Sequence, residues 1–265
     1  MKNTRLSSKR TIITGSSSGI GAAVAVKFAE EGAVIGLNYH RNHDGAVEIL
    51  NRIQKLGAEG LLLQGDISDK EEAESIVSKF TEKFGGIDIL VNNSGIGSNT
   101  PDTVTEISQE DWERVIAVNL TGSQLMSKFV LPYMIEQGNG NIVNISSIRG
   151  LLGNPNLASY SSSKGGLVIL TKQMACDYAE FGVRVNCVCP GFTETEMFKG
   201  YLNKQADPEE SKRRFSNMAL LNRVGDPSEI ACVVLFFASS ASSFITGVAL
   251  PVDGGYMANA IREII

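Results

Sequence analysis

The chain has 265 residues, of which 43% are hydrophobic and 20% charged, a composition that excludes disordered and fibrous architectures and suffices for one large core. Its formal charge of -5 gives no electrostatic reason to bind nucleic acid or an anionic membrane surface, so we expect neither partner. The longest apolar stretch, residues 230–238, falls well short of the roughly 20 residues of a membrane-spanning helix. The polar opening does not look like a secretory signal, and we expect a cytoplasmic protein.

Short β-branched runs alternate with longer segments of helical period along the chain. This alternation is typical of βα units that build a parallel sheet with helices on both faces. Most of the candidate strands are continuous apolar runs, as strands buried on both faces should be. They lie at residues 11–14, 34–39, 60–64, 87–92, 141–145, 183–189 and 248–252.

The predicted architecture is a single-domain α/β fold, a Rossmann-type doubly wound parallel sheet of seven strands and about six helices over residues 1–265. Ile20, Val24 and Phe28 mark the buried face of the first helix. Residues 192–222 are rich in Lys, Glu and Asn and interrupt the alternation of strands and helices after a strand end. They are predicted to form a flap over a site.

A glycine-rich segment, TGSSSGIG at residues 14–21, directly follows the first strand and opens the first helix. That context favours phosphate binding over a turn that binds nothing. Gly15 suits a tight turn, Gly19 a close approach to a pyrophosphate, and Gly21 the packing of helix on strand. The first-turn N–H groups then favour an anion. The residues predicted to bind the cofactor phosphates are Gly15, Ser17, Ser18, Gly19, Ile20 and Gly21.

The end of the second strand bears on the choice between NAD and NADP. Dinucleotide-binding folds usually place an acidic residue there for the adenosine ribose, but this chain has Asn38, His40 and Arg41. Because cationic side chains suit a 2′-phosphate, these three residues favour NADP(H). Arg41 as a solvated turn residue stays the alternative, since the glycine loop holds no basic residue.

A tyrosine and a lysine begin a later helix at the spacing that places both on one face, Tyr160 and Lys164. A neighbouring ammonium stabilises phenolate, so the pair is suited to proton transfer. Ser147 follows a strand at the edge where open α/β sheets bind ligands. Asn119 lies among apolar residues, where a lone amide needs a partner, and a core asparagine satisfied by backbone is the alternative.

Together these residues resemble the short-chain dehydrogenase/reductase family over nearly the whole chain, from Thr14 to about Tyr256. The match comprises the glycine loop, Asp66 after the third strand, the N-N-x-G element at residues 92–95, Asn119, Ser147, Tyr160 with Lys164, and Pro190 with Gly191. Ser94 departs from the alanine usual in the family. The resemblance implies hydride transfer between nicotinamide and a carbonyl or alcohol carbon.

The resemblance also implies residue roles. Tyr160 would exchange a proton with the substrate oxygen, Ser147 would hold that oxygen, and Lys164 would lower the Tyr160 pKa and bind the nicotinamide ribose. Asn119 would hold a water that connects Lys164 to solvent. The remaining cofactor contacts implied are Asp66 and Ile67 at the adenine, Asn93 and Gly95 at the ribose, and Pro190, Gly191 and Thr195 at the nicotinamide.

The substrate stays open. The sequence is similar to family members that are glucose 1-dehydrogenases and 3-oxoacyl-carrier-protein reductases, so a sugar or polyol, an acyl thioester and a small ketone are all candidates. Arg149 either faces an anionic substrate group or lies on the surface, and we expect the surface. No metal is expected, because Cys187 and Cys189 suit a buried strand face better than a metal pair.

Two further expectations concern assembly and activity. The helix after Tyr160 is apolar on several sides, with Val168 and Ile169 outside its main stripe, which predicts a second packing partner and hence a homo-oligomer, as in the tetramers common in the family. The competing functions are an idle nicotinamide-binding sensor or scaffold, and an isomerase or dehydratase on the same fold.

Overall fold

A computed structural model describes residues 4–258 of the chain. Seven parallel strands form one sheet in the order β3-β2-β1-β4-β5-β6-β7. The predicted doubly wound α/β architecture is confirmed, although the domain predicted over 1–265 includes residues 1–3 and 259–265, which lie outside the described residues. The strands are β1 (Arg10–Ile13), β2 (Val34–Tyr39), β3 (Gly60–Gln64), β4 (Ile89–Asn92), β5 (Gly140–Ile145), β6 (Val183–Pro190) and β7 (Ala249–Val252).

The described residues contain nine α-helices, more than the six predicted. One reason is that α7 and α8 lie in the segment predicted to be a flap. Another is that a π-helical turn, Ala117–Thr121, separates α4 from α5. The helices are α1 (Gly19–Glu30), α2 (His43–Lys55), α3 (Lys70–Phe84), α4 (Gln109–Ile116), α5 (Gly122–Gln137), α6 (Ala158–Tyr178), α7 (Glu196–Leu202), α8 (Pro208–Met218) and α9 (Pro227–Ala238).

Helices cover both faces of the sheet because its strands are apolar on both sides. Ile13 packs into a core with Phe28 of α1 and Val234 of α9. Its neighbour Ile12 points the opposite way, into a second core with Phe80 of α3, as alternation along a strand requires. No helix within residues 4–258 is long and apolar enough to cross a bilayer.

The strand order reverses between β1 and β4. From β1 the chain runs outward to β2 and β3, then returns to β4 on the other side. Such a switch point opens a crevice at the carboxyl edge of the sheet, where open α/β folds bind ligands. The loops after β1, β4, β5 and β6 meet at this edge.

Candidate active site

The glycine loop after β1 leaves the first turn of α1 free for a ligand. Gly15 and Gly19 have φ of 61° and 55°, a region that glycine adopts without strain. Ser18 is the N-cap residue, but its side chain makes no capping hydrogen bond, and the first turn holds no acidic residue. The amides there therefore keep their capacity to bind an anion.

Asn93 fixes the loop from β4. Its Nδ2 donates to the carbonyls of Thr14 (2.9 Å) and Gly15 (3.0 Å), and its backbone N–H donates to Thr14 Oγ1 at 2.9 Å. A Cβ at Gly15 would lie 2.9 Å from Ser94 Oγ, so only glycine fits. The sequence analysis missed the role of Thr14, whose hydroxyl also accepts from Ser94 N–H.

The side chain of Asn38, which is predicted to bind the cofactor, forms hydrogen bonds with other residues of the chain. Its side chain is buried and donates to the carbonyls of Leu63 and Gly65, while its Oδ1 accepts from Gly15 N–H at 3.3 Å. Asn38 therefore ties the glycine loop to β3 and has no donor hydrogen left to present to a ligand.

His40 and Arg41 are exposed at the end of β2. His40 Nδ1 lies 3.9 Å from Asp66 Oδ2, and no side-chain partner of Arg41 is found within the described part of the chain. Both border an open cleft of about 660 Å³, whose lining is His40, Arg41, Gln64, Gly65, Glu72, Ser75 and Lys79.

Asp66 is held by two neighbours. Its carboxylate accepts from Arg114 Nη2 (2.8 Å) and from the N–H and hydroxyl of Ser68 (2.9 and 2.7 Å). Burial favours the neutral acid, but the hydrogen bonds from Ser68 and Arg114 outweigh it and keep the pKa of Asp66 below its usual value. Ile67, which follows, is buried against Gly122 of α5.

Ser147, Tyr160 and Lys164 come together at the carboxyl end of β5. Ser147 follows this strand and is nearly buried. In α6, Lys164 is one turn beyond Tyr160, and its Nζ lies 5.9 Å from the centre of the phenol ring. The ammonium donates to the carbonyl of Ile145 at 2.8 Å, so the first turns of α6 are fastened to the strand end that carries Ser147.

Burial is the largest influence on the pKa values of Tyr160 and Lys164. Burial raises the pKa of Tyr160, whereas a hydrogen bond with Ser147 and the positive charge of Arg149 act to lower it. Burial also lowers the pKa of Lys164 to about 8. The predicted effect of Lys164 on the Tyr160 pKa stays a prediction, because the neighbours that lower this pKa here are Ser147 and Arg149.

Asn119 is fully buried in the π-helical turn, a local geometry that recurs at functional sites. Its Oδ1 accepts from Ile96 N–H (2.8 Å), and its Nδ2 donates to the Ile96 carbonyl (2.9 Å) and to Ser163 Oγ (3.0 Å). The side chain is thus satisfied largely by backbone, and it fixes the loop after β4. At Gly95 a Cβ would lie 3.1 Å from Lys164 Nζ, so this glycine leaves the ammonium room.

Asp102, a residue that the sequence analysis missed, caps α6. Its buried carboxylate accepts from Ser159 N–H (2.8 Å), Ser159 Oγ (2.9 Å) and Tyr160 N–H (3.4 Å). Asp102 lies in the loop before α4, 57 residues before Ser159, so no local pattern could reveal the contact. It positions the turn that carries Tyr160.

Arg149 is not on the surface, and that expectation was wrong. Only 8% of the residue is exposed, because it lies in the short 3-10 turn Ile148–Gly150 directly after Ser147. Its N–H donates to Ser147 Oγ at 3.1 Å. The guanidinium carbon lies 5.4 Å from the ring centre of Phe192 and 5.3 Å from that of Tyr256.

Residues 190–195 connect the sheet to α7. Gly191 donates its N–H to the Val252 carbonyl at 2.9 Å, which keeps Pro190 at the carboxyl edge. Thr195 is the N-cap of α7, accepting from Phe198 N–H at 3.2 Å. A Cβ at Gly19 would lie 3.4 Å from Thr195, so the glycine loop and the segment before α7 approach each other closely at the carboxyl edge.

Cys187 and Cys189 lie on one face of β6, as the alternation predicts. Both are fully buried with Val168, and their sulfurs are 3.9 Å apart. Within residues 4–258, no group of three or more His, Cys, Asp or Glu side chains is arranged to hold a metal ion.

Comparison with known proteins identifies the family. Residues 15–257 match a family described as enoyl-(acyl carrier protein) reductase. The chain belongs to the short-chain dehydrogenase/reductase family. This short-chain dehydrogenase/reductase is 40% identical over 256 residues to a 3-oxoacyl-[acyl-carrier-protein] reductase FabG of Thermotoga maritima, covering 95% of this chain and 98% of the relative.

Two further similarities extend over the whole fold. Glucose 1-dehydrogenase 2 of Bacillus subtilis is 37% identical over 251 residues, 94% of this chain and 95% of that protein. The crystal structure of levodione reductase superposes with a TM-score of 0.92 at 32% identity, covering 96% of this chain and 99% of that one. This short-chain dehydrogenase/reductase is therefore an oxidoreductase.

Proposed function

We propose that the protein transfers a hydride between NAD(P) and a carbonyl or secondary alcohol carbon, with Ser147, Tyr160 and Lys164 as its catalytic residues. The observation that carries the proposal is the convergence of these three side chains at the carboxyl edge, next to the uncapped first turn of α1. Asn119 is proposed to support them by fixing the loop beside Lys164.

The described residues fit a nicotinamide dinucleotide. The first turn of α1 offers free amides to a pyrophosphate, and the lack of a Cβ at Gly19 lets the segment at Thr195 lie close to that turn. The N-cap side chains of α1, α5 and α6 make no capping hydrogen bond. However, α5 continues directly from the π-helical turn and α6 is capped by Asp102, so the uncapped first turn of α1 favours an external anion there.

The bound nicotinamide would supply or accept the hydride. In the reducing direction, Ser147 Oγ donates to the substrate oxygen and holds it at the phenol. Tyr160 gives its proton to the oxygen as negative charge develops on it, and takes it back in oxidation. Lys164, buried with its ammonium at the sheet edge, stabilises phenolate and binds a ribose hydroxyl.

For the cofactor, NADP is proposed over NAD. The support is the pair of exposed side chains His40 and Arg41 at the end of β2, where the chain itself carries no acidic residue. Arg41 is available for a 2′-phosphate, since no ion pair engages it within residues 4–258.

The names of the relatives indicate two candidate substrate classes, 3-oxoacyl thioesters and sugars. The idle sensor is not favoured by any observation, since it would need neither the phenol nor the buried ammonium. We also propose a cytoplasmic location, supported by four cysteines that are all unpaired, as a reducing compartment requires.

A homotetramer is proposed on the basis of exposed apolar side chains around α6 and the free edge of the sheet. Ile169 is 63% exposed and Phe244 fully exposed. Val248 and Leu250, beside and within the edge strand β7, are each 37% exposed. Isologous contacts would bury these residues, and light scattering that gave a monomer would refute the assembly.

The experiment that tests the function has two steps. The purified protein is titrated with NADPH and NADH by nicotinamide fluorescence. Oxidation of the reduced cofactor is then followed with ketones and 3-oxoacyl thioesters, and reduction of the oxidised cofactor is followed with sugars. Binding followed by turnover supports the proposal. Failure to bind either dinucleotide would refute it.

A further inference from the structure

The guanidinium of Arg149 is a buried cation without an anionic partner in the described chain. No carboxylate of residues 4–258 lies within 4.0 Å of it, and its one side-chain hydrogen bond joins Nη1 to the hydroxyl of Tyr256 at 3.3 Å. Burying an uncompensated charge is unfavourable. The aromatic rings of Phe192 and Tyr256 compensate part of this cost through cation–π contacts.

Several other guanidiniums among the described residues have an acidic partner or backbone acceptors, although that of the exposed Arg41 has none. Arg10 pairs with Asp88, Arg114 with Asp66 and Arg223 with Glu229. Arg184 donates instead to backbone carbonyls, including that of Phe237 at 2.9 Å. Arg149 differs in that it is nine-tenths buried and has no carboxylate partner among residues 4–258.

The position of Arg149 ties it to the reaction. It is two residues from Ser147, whose hydroxyl accepts from its backbone N–H, and its positive charge acts on the phenol of Tyr160. Phe192, which packs over the guanidinium, comes directly after Gly191 in the segment proposed to face the nicotinamide. Arg149 is therefore a direct neighbour of Ser147, which the proposed function places at the substrate oxygen.

We propose that Arg149 binds the carboxylate of the substrate, which is a small oxo acid in reduction and the corresponding hydroxy acid in oxidation. The planar fork of a guanidinium matches a carboxylate with two parallel hydrogen bonds. This inference rests on the proposed function and narrows its substrate class, since neutral sugars would leave the charge of Arg149 unmatched.

The test compares short oxo acids with their methyl esters, which carry the same carbonyl without the charge. The acid-to-ester ratio of kcat/KM with NADPH is measured for the wild type, Arg149→Met, Arg149→Lys and the control Arg52→Met, an exposed arginine of α2. Arg149→Met should lower the ratio about 10- to 100-fold. Arg149→Lys should lower it less, because the charge remains, and Arg52→Met should leave it unchanged.

The acid-to-ester ratio of kcat/KM distinguishes carboxylate binding by Arg149 from the effect of its charge on the pKa of Tyr160. Removing the charge of Arg149 also raises the pKa of Tyr160, but that change slows acid and ester alike. An equal loss for both would therefore overturn the proposal, as would a wild type that uses the esters as well as the acids. Circular dichroism and NADPH affinity show whether each variant is folded.

A second measurement does not depend on turnover. Calorimetric titration of the NADP⁺-saturated protein with the oxo acids should give binding that Arg149→Met weakens and Arg52→Met does not. Binding in this titration together with no reduction of the same acids in the NADPH assay would preserve the role of Arg149 and count against the proposed function. Absence of acid binding, or tighter binding of phosphonate analogues than of the carboxylates, would overturn the carboxylate assignment.

Discussion

Replacing Asp102 should damage catalysis and stability together, because this carboxylate holds the turn of α6 that carries Tyr160. Asp102→Ala removes the acceptor of Ser159 N–H, Ser159 Oγ and Tyr160 N–H. Asp102→Asn keeps one oxygen acceptor, and the Ser159 hydroxyl can rotate to accept from the new amide. The asparagine variant should therefore be the milder of the two.

The magnitude follows from the contacts. Losing a helix cap costs about 1 kcal/mol, and a buried donor left without a partner costs about 1–3 kcal/mol more. Asp102→Ala should thus lower the free energy of unfolding by about 2–4 kcal/mol, a fall of about 4–7 °C in Tm for a chain of this length. A shift of the phenol by about 1 Å should lower kcat by as much as 100-fold.

The assay pairs urea unfolding, at one fixed protein concentration, with kcat, KM and the pH profile of kcat. Asp226→Ala is the matched control, since Asp226 accepts from Ser228 N–H and hydroxyl at the start of α9, a helix without candidate catalytic residues. The control should lose stability while its kcat and pH profile stay unchanged. The positioning role would be refuted if kcat and the pH profile of Asp102→Ala were unchanged, or changed no more than those of Asp226→Ala.

Three further predictions concern the site itself. Tyr160→Phe should abolish most turnover and leave NADPH affinity within about twofold of the wild type, because only the proton donor is lost; comparable activity in steady-state assays would defeat the mechanism. Arg41→Ala should weaken NADPH far more than NADH in fluorescence titrations, and equal losses would remove Arg41 from cofactor discrimination. Lys164→Met tests the lowered pKa of Lys164, about 8 in the folded protein against 10.5 unperturbed. Between these two values the unfolded chain holds a proton that the folded one lacks, so stability should rise with pH by at most about 1.4 kcal/mol per unit. The variant should lose that rise in unfolding experiments between pH 8 and 10, and an unchanged slope would contradict it.

The sheet and the motifs could be predicted from the sequence because their signals are local. Continuous apolar runs gave all seven strands, and the glycine loop could be located because it joins a strand to a helix. Tyr160 and Lys164 share a helical face by spacing alone. The number of helices was predicted less accurately. No local pattern marks the π-helical turn at Asn119 as a break between two helices, and no clear apolar stripe marks the two helices between residues 192 and 222.

What the sequence could not reveal depends on distant contacts. The sequence around Arg149 is that of an ordinary surface residue, and Phe192 and Tyr256, which cover it in the fold, lie 43 and 107 positions away in the chain. Asp102 likewise finds its partners only in the folded protein. The side chain of Asn38 donates to the carbonyls of Leu63 and Gly65, contacts that no local pattern indicates, and its predicted cofactor contact stays a prediction.

The most direct test of the central claim follows the hydride itself. The protein is incubated with NADPH carrying two deuterium atoms at the reactive carbon of the nicotinamide and with the panel of oxo acids, 3-oxoacyl thioesters, sugars and ketones, and the products are analysed by mass spectrometry. The account predicts a product alcohol that carries one deuterium, formed by the wild type and not by Tyr160→Phe. Bound NADPH that transfers no deuterium to any carbonyl, or equal transfer by the Tyr160→Phe variant, would contradict it.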